Sequence, residues 1–181
     1  MLMTWICVIG IELNAKTQVG LLAAEVIILL IFSVAALIKV YSDPFPDSVK
    51  PSLSWLNPLA IDSPNGWVSA FIVGILSAIF MYWGWDTAVA VNEETDDSTK
   101  TPGKAAVMST LVLVANYVIV AIAAVAIRGP GFLSSDANID DVLAAAGEAV
   151  LGSGFNKFLI IAVLTSAAAS TQTTILPASR S

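Results

Sequence analysis

The sequence predicts an all-α integral membrane protein, and three observations lead to that prediction. The chain of 181 residues is 57% hydrophobic and only 12% charged. Its mean hydropathy is +0.84. Soluble domains usually carry about 25% charged residues, so the composition argues against a soluble globular enzyme. Finally, long apolar stretches recur along the chain, and each approaches the roughly 20 residues that a helix needs to cross a bilayer.

Four of these stretches predict membrane-spanning helices. They cover residues 17–41, 67–92, 104–127 and 156–176. Each contains a long uncharged run, interrupted in the first stretch by Glu25. Residues 1–13 are also apolar but too short to cross, so they predict the end of a helix whose beginning is missing. We therefore expect a fragment of a larger membrane protein.

The connecting segments differ in character. Residues 42–66 hold five of the eight prolines, which predicts an ordered loop outside the membrane because proline interrupts a helix. Residues 138–151 place apolar side chains at helical spacing and predict an amphipathic helix on the membrane surface. Four crossings put the loops 42–66 and 128–155 on one side and the loop 93–103 on the other. Lys and Arg divide equally between the sides, so the positive-inside rule gives no orientation.

Charge and cysteine content exclude several functions. The net charge is −6, with no basic block, and nucleic acid binding requires clustered Lys and Arg. Cys7 is the single cysteine and histidine is absent, so neither an internal disulfide nor a Cys/His metal cluster can form. We expect no nucleic acid partner, no resident metal and no cofactor.

The second predicted span contains the segment FMYWGWD at residues 80–86. Its glycine weakens the helix, and irregular backbone persists in a bilayer only where it lines a cavity. An acid at membrane depth, here Asp86, is a functional candidate by default. The alternative is an ordinary helix end near Trp85, with the aromatic residues forming an interfacial belt. The acidic loop that follows is either a solvated hairpin or an element that changes contacts as the helices move.

Several motifs together resemble amino acid permeases of the amino acid–polyamine–organocation superfamily. YWGWD at 82–86, NEE at 92–94 and TPGKAA at 101–106 are similar to the sixth helix and following loop of that family. The segment STQTTILPASR at 170–180 resembles the end of its eighth helix. Gln18 with the apolar run after it resembles the start of the fifth. The resemblance extends over nearly the whole chain.

The resemblance implies a fold and a location. Family members have a core of two inverted five-helix repeats, with substrate at broken first and sixth helices. The chain would then be a partial five-plus-five inverted-repeat transporter fold with a broken helix. It would run from the end of the fourth helix to the eighth, and the loop 93–103 would be cytoplasmic. The implied location is the plasma or inner membrane, crossed several times. Without its missing helices the chain is not expected to transport.

The resemblance also assigns a substrate site to the unwound sixth helix. Free backbone groups there would meet the substrate α-amino group, and aromatic rings would enclose its side chain. The matching positions are Phe80, Met81, Tyr82, Trp83 and Gly84. Asp86 matches an acidic position that acts in gating or proton coupling. Many relatives carry Glu there, and the shorter Asp departs from that pattern.

Two further positions are candidates for ion coupling. Glu25 lies about where some proton-coupled relatives carry a lysine. It is a proton carrier, or it serves another contact, or it is hydrated near the cytoplasmic end, about 12 Å deep in an upright helix. Thr165 and Ser166 match adjacent hydroxyl residues that sodium-coupled members use, and hard cations prefer oxygen ligands. The alternative for this helix is a packing seam of small residues, which is favoured for Ser170 and Thr174.

The function predicted first is secondary active transport of amino acids or related amines by alternating access, coupled to a proton or a sodium ion. Its partners would be the substrate, the ion, the lipid bilayer and the missing helices. A membrane enzyme would need a nucleophile and base within reach, and the sequence offers no such pair. The remaining alternative is a small structural or assembly subunit of a membrane complex.

Overall fold

The computed structural model describes residues 11–57, 59, 65–82, 97, 99–136 and 142–178, and this part of the chain is helical, with no strand. The α-helices of the described part are α1 (Ile11–Ser42), α2 (Gly66–Met81), α3 (Thr101–Leu133) and α4 (Val142–Ala178). A short 3₁₀ helix, Leu53–Leu56, lies between α1 and α2.

Two of these helices are long and apolar enough to cross a bilayer. They are Ala15–Ser42, of 28 residues, and Thr101–Leu133, of 33 residues. Shorter apolar helices cover Gly66–Met81, Val142–Gly152 and Lys157–Thr171. Large apolar side chains such as Ile31 and Ile38 are exposed on α1, and a helix that is apolar all round is typical of a bilayer or a larger helical assembly.

The helices overlap the predicted segments unequally. The predicted spans 17–41 and 104–127 lie inside α1 and α3. Helix α2 covers the first part of the predicted span 67–92, and residues 83–92 lie outside the described residues, as do 1–10 of the predicted partial helix 1–13. Residues 138–141 of the predicted surface helix 138–151 are also outside the described residues, and helix begins at Val142.

The chain forms two compact units. The first comprises Met1–Lys50 and Val112–Ser181, and the second comprises Pro51–Leu111. The core of the first unit is formed by one face of α1 together with alanine, isoleucine and leucine side chains of α3 and α4. Its members are Leu29, Phe32, Ala36, Val40, Ala123, Ala124, Ala126, Ile127, Ala146 and Leu159. The alanines let the helix backbones approach closely, as in other membrane helix bundles.

Helix α3 breaks at Gly129, which the sequence predicts as the opening of a loop. Gly129 has φ 68° and ψ 163°, and helix resumes up to Leu133. Pro130 has no N–H, so the carbonyl of Ala126, four residues earlier, loses its helical donor. The Val49 N–H donates to that carbonyl over 2.8 Å. The break is therefore stabilised by a hydrogen bond from the loop that follows α1.

Helix α4 has a similar break at Gly152, with φ 75° and ψ 168°. The segment before it, Val142–Gly152, ends in carbonyls without helical donors. The Lys39 ammonium of α1 donates to the Ala149 carbonyl over 2.9 Å. A cation at a helix C-terminus also interacts favourably with the helix dipole.

Candidate ion and substrate sites

The first unit brings together two of the predicted coupling residues. Glu25 lies on α1 and Ser166 on α4, and both side chains line the same cleft. In such a pair the Ser166 hydroxyl can donate a hydrogen bond and the Glu25 carboxylate can accept it. Glu25 is half-buried. A carboxylate in such a position is costly unless it is paired or has a function.

The Glu25 side chain lines a cleft of about 330 Å³ between α1 and α4. One acid, two serines and apolar side chains line it. The lining residues are Glu25, Leu29, Leu143, Leu159, Ala162, Val163, Ser166, Ala167 and Ser170. Small residues on α4 leave this space, because Ala162, Ser166 and Ser170 follow one another at four-residue spacing on one helix face. The cleft therefore combines one negative charge with largely apolar walls.

Thr165 has a different environment from Ser166. Its hydroxyl donates to the Ala162 carbonyl of its own helix over 2.8 Å, and it is not among the residues that line the cleft. Ser170, which the sequence assigned to a packing seam, does line the cleft. The sequence signal for Ser170 was its position four residues after Ser166, one helical turn away on the same face.

Among the described residues that line the cleft, the side-chain oxygen atoms belong to the Glu25 carboxylate and to the hydroxyls of Ser166 and Ser170. Divalent cations such as Mg²⁺ and Ca²⁺ take about six to eight oxygen ligands, whereas a proton needs a single carboxylate. Among the described residues, no group of three or more acidic, Cys or His side chains is placed to hold a metal ion.

The predicted substrate segment begins where α2 ends. Met81 is the last residue of the helix, and Tyr82 leaves helical geometry with φ −92° and ψ 7°. The Tyr82 N–H donates to the Ala78 carbonyl over 3.1 Å. Phe80 is 75% exposed and Met81 54% exposed. A helix that stops here fits both the predicted broken helix and its alternative, an ordinary helix end.

The other residues predicted for this segment, Trp83, Gly84 and Asp86, lie outside the described residues. Phe80, Met81 and Tyr82 belong to the second unit, whereas Glu25 and Ser166 belong to the first.

One buried polar residue was missed by the sequence analysis. Asn116 lies within the predicted span 104–127 and is only 7% exposed. Its Oδ1 atom accepts no hydrogen bond within the described part of the chain. A buried amide oxygen without a hydrogen bond is costly, so Asn116 is a further functional candidate. The signal in the sequence was a lone amide in an otherwise apolar run.

Comparison with known proteins gives a family for the whole chain. A family model described as "Amino acid permease" matches residues 1–181. Searches of curated proteins and of solved structures gave no match. The family match confirms the resemblance seen in the sequence and agrees with the apolar helices of a membrane protein. The chain belongs to the amino acid permease family and is therefore part of a transport protein for amino acids rather than an enzyme.

Proposed function

We propose that this chain serves in secondary active transport of amino acids or related amines across the plasma or inner membrane by alternating access. The Glu25 cleft is its proposed coupling site. The observation that supports this assignment best is the cleft that Glu25 of α1 shares with Ser166 of α4, where the half-buried carboxylate can accept a hydrogen bond from the Ser166 hydroxyl. The chain would supply the end of the fourth helix and the fifth to eighth helices, and other helices would complete the transporter.

The proposed substrate site is the end of α2 and the residues that follow it. A helix that stops inside a membrane leaves backbone N–H and C=O groups to be satisfied, and the charged ends of an amino acid can pair with them. Exposed Phe80 and Met81, with Tyr82 and Trp83, would surround the substrate side chain. Gly84 would allow the unwound backbone, and Asp86 would act in gating.

The proposed coupling ion is a proton carried by Glu25. Protonation removes the charge, so the Ser166 hydroxyl no longer donates to a carboxylate anion. That change alters the contact between α1 and α4, which is a change an alternating-access cycle can use. The small number of side-chain oxygen atoms among the described residues of the cleft supports a proton over a metal cation. A sodium ion held near Thr165 and Ser166 is the competing proposal.

Transport in proteoliposomes tests the proposal, with the transporter that contains this chain and a mixture of the twenty radiolabelled amino acids. A pH gradient and a sodium gradient are imposed separately. We expect the pH gradient to drive accumulation and Glu25→Gln to abolish it, while exchange across the membrane continues. Glu148→Gln is the matched control, because Glu148 is an exposed acid on α4. It is expected to behave like the unmodified transporter.

Two results would contradict this account. Accumulation driven by the pH gradient in Glu25→Gln would remove Glu25 from coupling. Accumulation driven by sodium alone, and lost in Ser166→Ala, would assign the site to the metal cation instead.

A further inference from the structure

Residues 43–50, directly after α1, supply the hydrogen bonds that the break in α3 removes. The Val49 N–H donates to the Ala126 carbonyl over 2.8 Å. The Ser48 hydroxyl donates to the Ile127 carbonyl over 2.6 Å. The same hydroxyl accepts from the Phe45 N–H over 2.9 Å. These bonds attach the loop to carbonyl groups of α3 residues that are fully buried, and leaving such groups unpaired is costly.

Side chains reinforce this attachment around the Phe45 ring. The Arg128 guanidinium carbon lies 4.7 Å from the Phe45 ring centroid and 3.9 Å from that of Phe132. The Arg128 Nη1 atom is also 3.1 Å from Asp47 Oδ1. The Lys39 Nζ atom lies 4.7 Å from the Phe45 centroid. Two cations therefore share one aromatic ring, and cation–π attraction strengthens where water is excluded.

A third helix is joined through Lys39. While its ammonium group contacts Phe45, it also donates to the Ala149 carbonyl in the segment of α4 before the break at Gly152. Lys39, Phe45, Asp47, Ser48, Val49 and Arg128, which we call the Phe45 staple, thus connect the end of α1 with the breaks in α3 and α4.

We propose that the contacts of the Phe45 staple persist in every conformation of the protein, so that the staple does not act as a gate. The ends of α1 and α3 and the first segment of α4 then move as one body. Opening it would leave the carbonyls of Ala126, Ile127 and Ala149 without these donors and would separate two cations from their ring. A gate needs two states of similar free energy, and these contacts favour one strongly. The conformational change of transport must then occur elsewhere. That last step rests on the proposed function, whereas the proposal that the staple contacts persist does not.

Distances between spin labels test the proposal in the transporter that contains this chain. Cysteines replace Ile38 on α1, Ser134 after α3 and Glu148 on α4, all exposed, in a Cys7→Ser background. Double electron–electron resonance measures the distances from 38 to 134 and from 38 to 148. We expect narrow distributions that stay unchanged when the twenty amino acids are added at either of two pH values. A second distance population that appears on their addition would overturn the proposal.

Staple variants complete the test. Phe45→Leu keeps an apolar side chain without the ring, and Arg128→Ala removes both the ion pair and the ring contacts. Each is expected to broaden the two distributions, and unchanged distributions in both variants would overturn the proposal. Lys50→Ala is the control, because its contact with Tyr41, 5.8 Å from Nζ to the centroid, lies outside the staple.

Uptake measured on the same samples separates this proposal from the proposed function. If amino acids are not transported, but the distributions are narrow and broaden in the Phe45→Leu variant, the staple proposal is supported and the transport proposal is contradicted. If amino acids are transported and the 38-to-134 distance shifts, the staple proposal is contradicted and the transport proposal is supported.

Discussion

Replacing Gly129 with alanine tests how closely the loop after α1 approaches the break in α3. The φ of 68° and ψ of 163° at Gly129 lie in a region that only glycine adopts readily, and the strain for another residue is about 1–3 kcal/mol. An added Cβ would also lie 2.8 Å from the Asp47 carbonyl oxygen. Since that oxygen is main chain, the loop itself must retreat.

If the loop moves away from α3, the hydrogen bond from the Val49 N–H to the Ala126 carbonyl lengthens or breaks. Leaving such a buried group unpaired costs about 1–3 kcal/mol. The strain and the lost bond together predict a destabilisation of about 2–6 kcal/mol for Gly129→Ala. Thermal unfolding of the detergent-solubilised protein, followed by circular dichroism and by size-exclusion chromatography after heating, measures the effect.

Two other glycines provide matched controls. Gly152 has a similar φ of 75°, but nothing lies within 4 Å of an added Cβ, so Gly152→Ala is expected to cost only the backbone strain. Gly131 also has open space and no positive φ, and alanine is the better helix former by about 1 kcal/mol. The expected order of unfolding temperatures is therefore Gly131→Ala highest and Gly129→Ala lowest. If Gly129→Ala unfolds no earlier than Gly152→Ala, the close approach of the loop is refuted.

Further substitutions test other parts of the account. Ser48→Ala removes the donor to the Ile127 carbonyl and is expected to lower thermal stability by about 1–3 kcal/mol; an unchanged unfolding temperature would argue against that bond. Ser166→Ala is expected to weaken accumulation driven by a pH gradient while protein level is unchanged, and equal accumulation would remove Ser166 from coupling. Asp86→Asn is expected to change uptake or its pH dependence more than protein level; unchanged uptake and pH dependence would remove Asp86 from the mechanism. Asn116→Leu is expected to raise the unfolding temperature, because it removes an unpaired buried amide; a lower temperature would show that the amide has a stabilising partner.

Local properties of the sequence predicted much of the helical architecture, because they depend on neighbouring residues. Apolar runs marked the segments that form α1 and α3, whereas the prediction for residues 80–86 stays a prediction because 83–86 lie outside the described residues. The family resemblance, confirmed by the match over the whole chain, came from motifs that are each weak alone. Glu25 and Ser166 were each selected as coupling candidates from their positions in that family resemblance.

The contacts between distant segments could not be predicted in this way. The pairing of Glu25 with Ser166 depends on how α1 packs against α4, which neither segment encodes alone. The Gly129–Pro130 pair predicted a loop, yet helix resumes after Gly129, because residues 48 and 49 supply the missing donors. Residues 42–66 were interpreted as a loop from their prolines, and nothing in that pattern indicated a role for Phe45. Its contacts depend on Lys39 of α1 and Arg128 of α3, which are distant from each other in sequence.

The role of Glu25 as the proton carrier is tested most directly by proton flux itself. Proteoliposomes that contain the transporter are loaded with a pH-sensitive dye, and amino acids are added outside with no imposed gradient. The account predicts that the lumen acidifies as amino acids enter, and that Glu25→Gln abolishes the acidification while labelled amino acids still exchange across the membrane. Acidification of equal size in Glu25→Gln would contradict the assignment of coupling to this carboxylate.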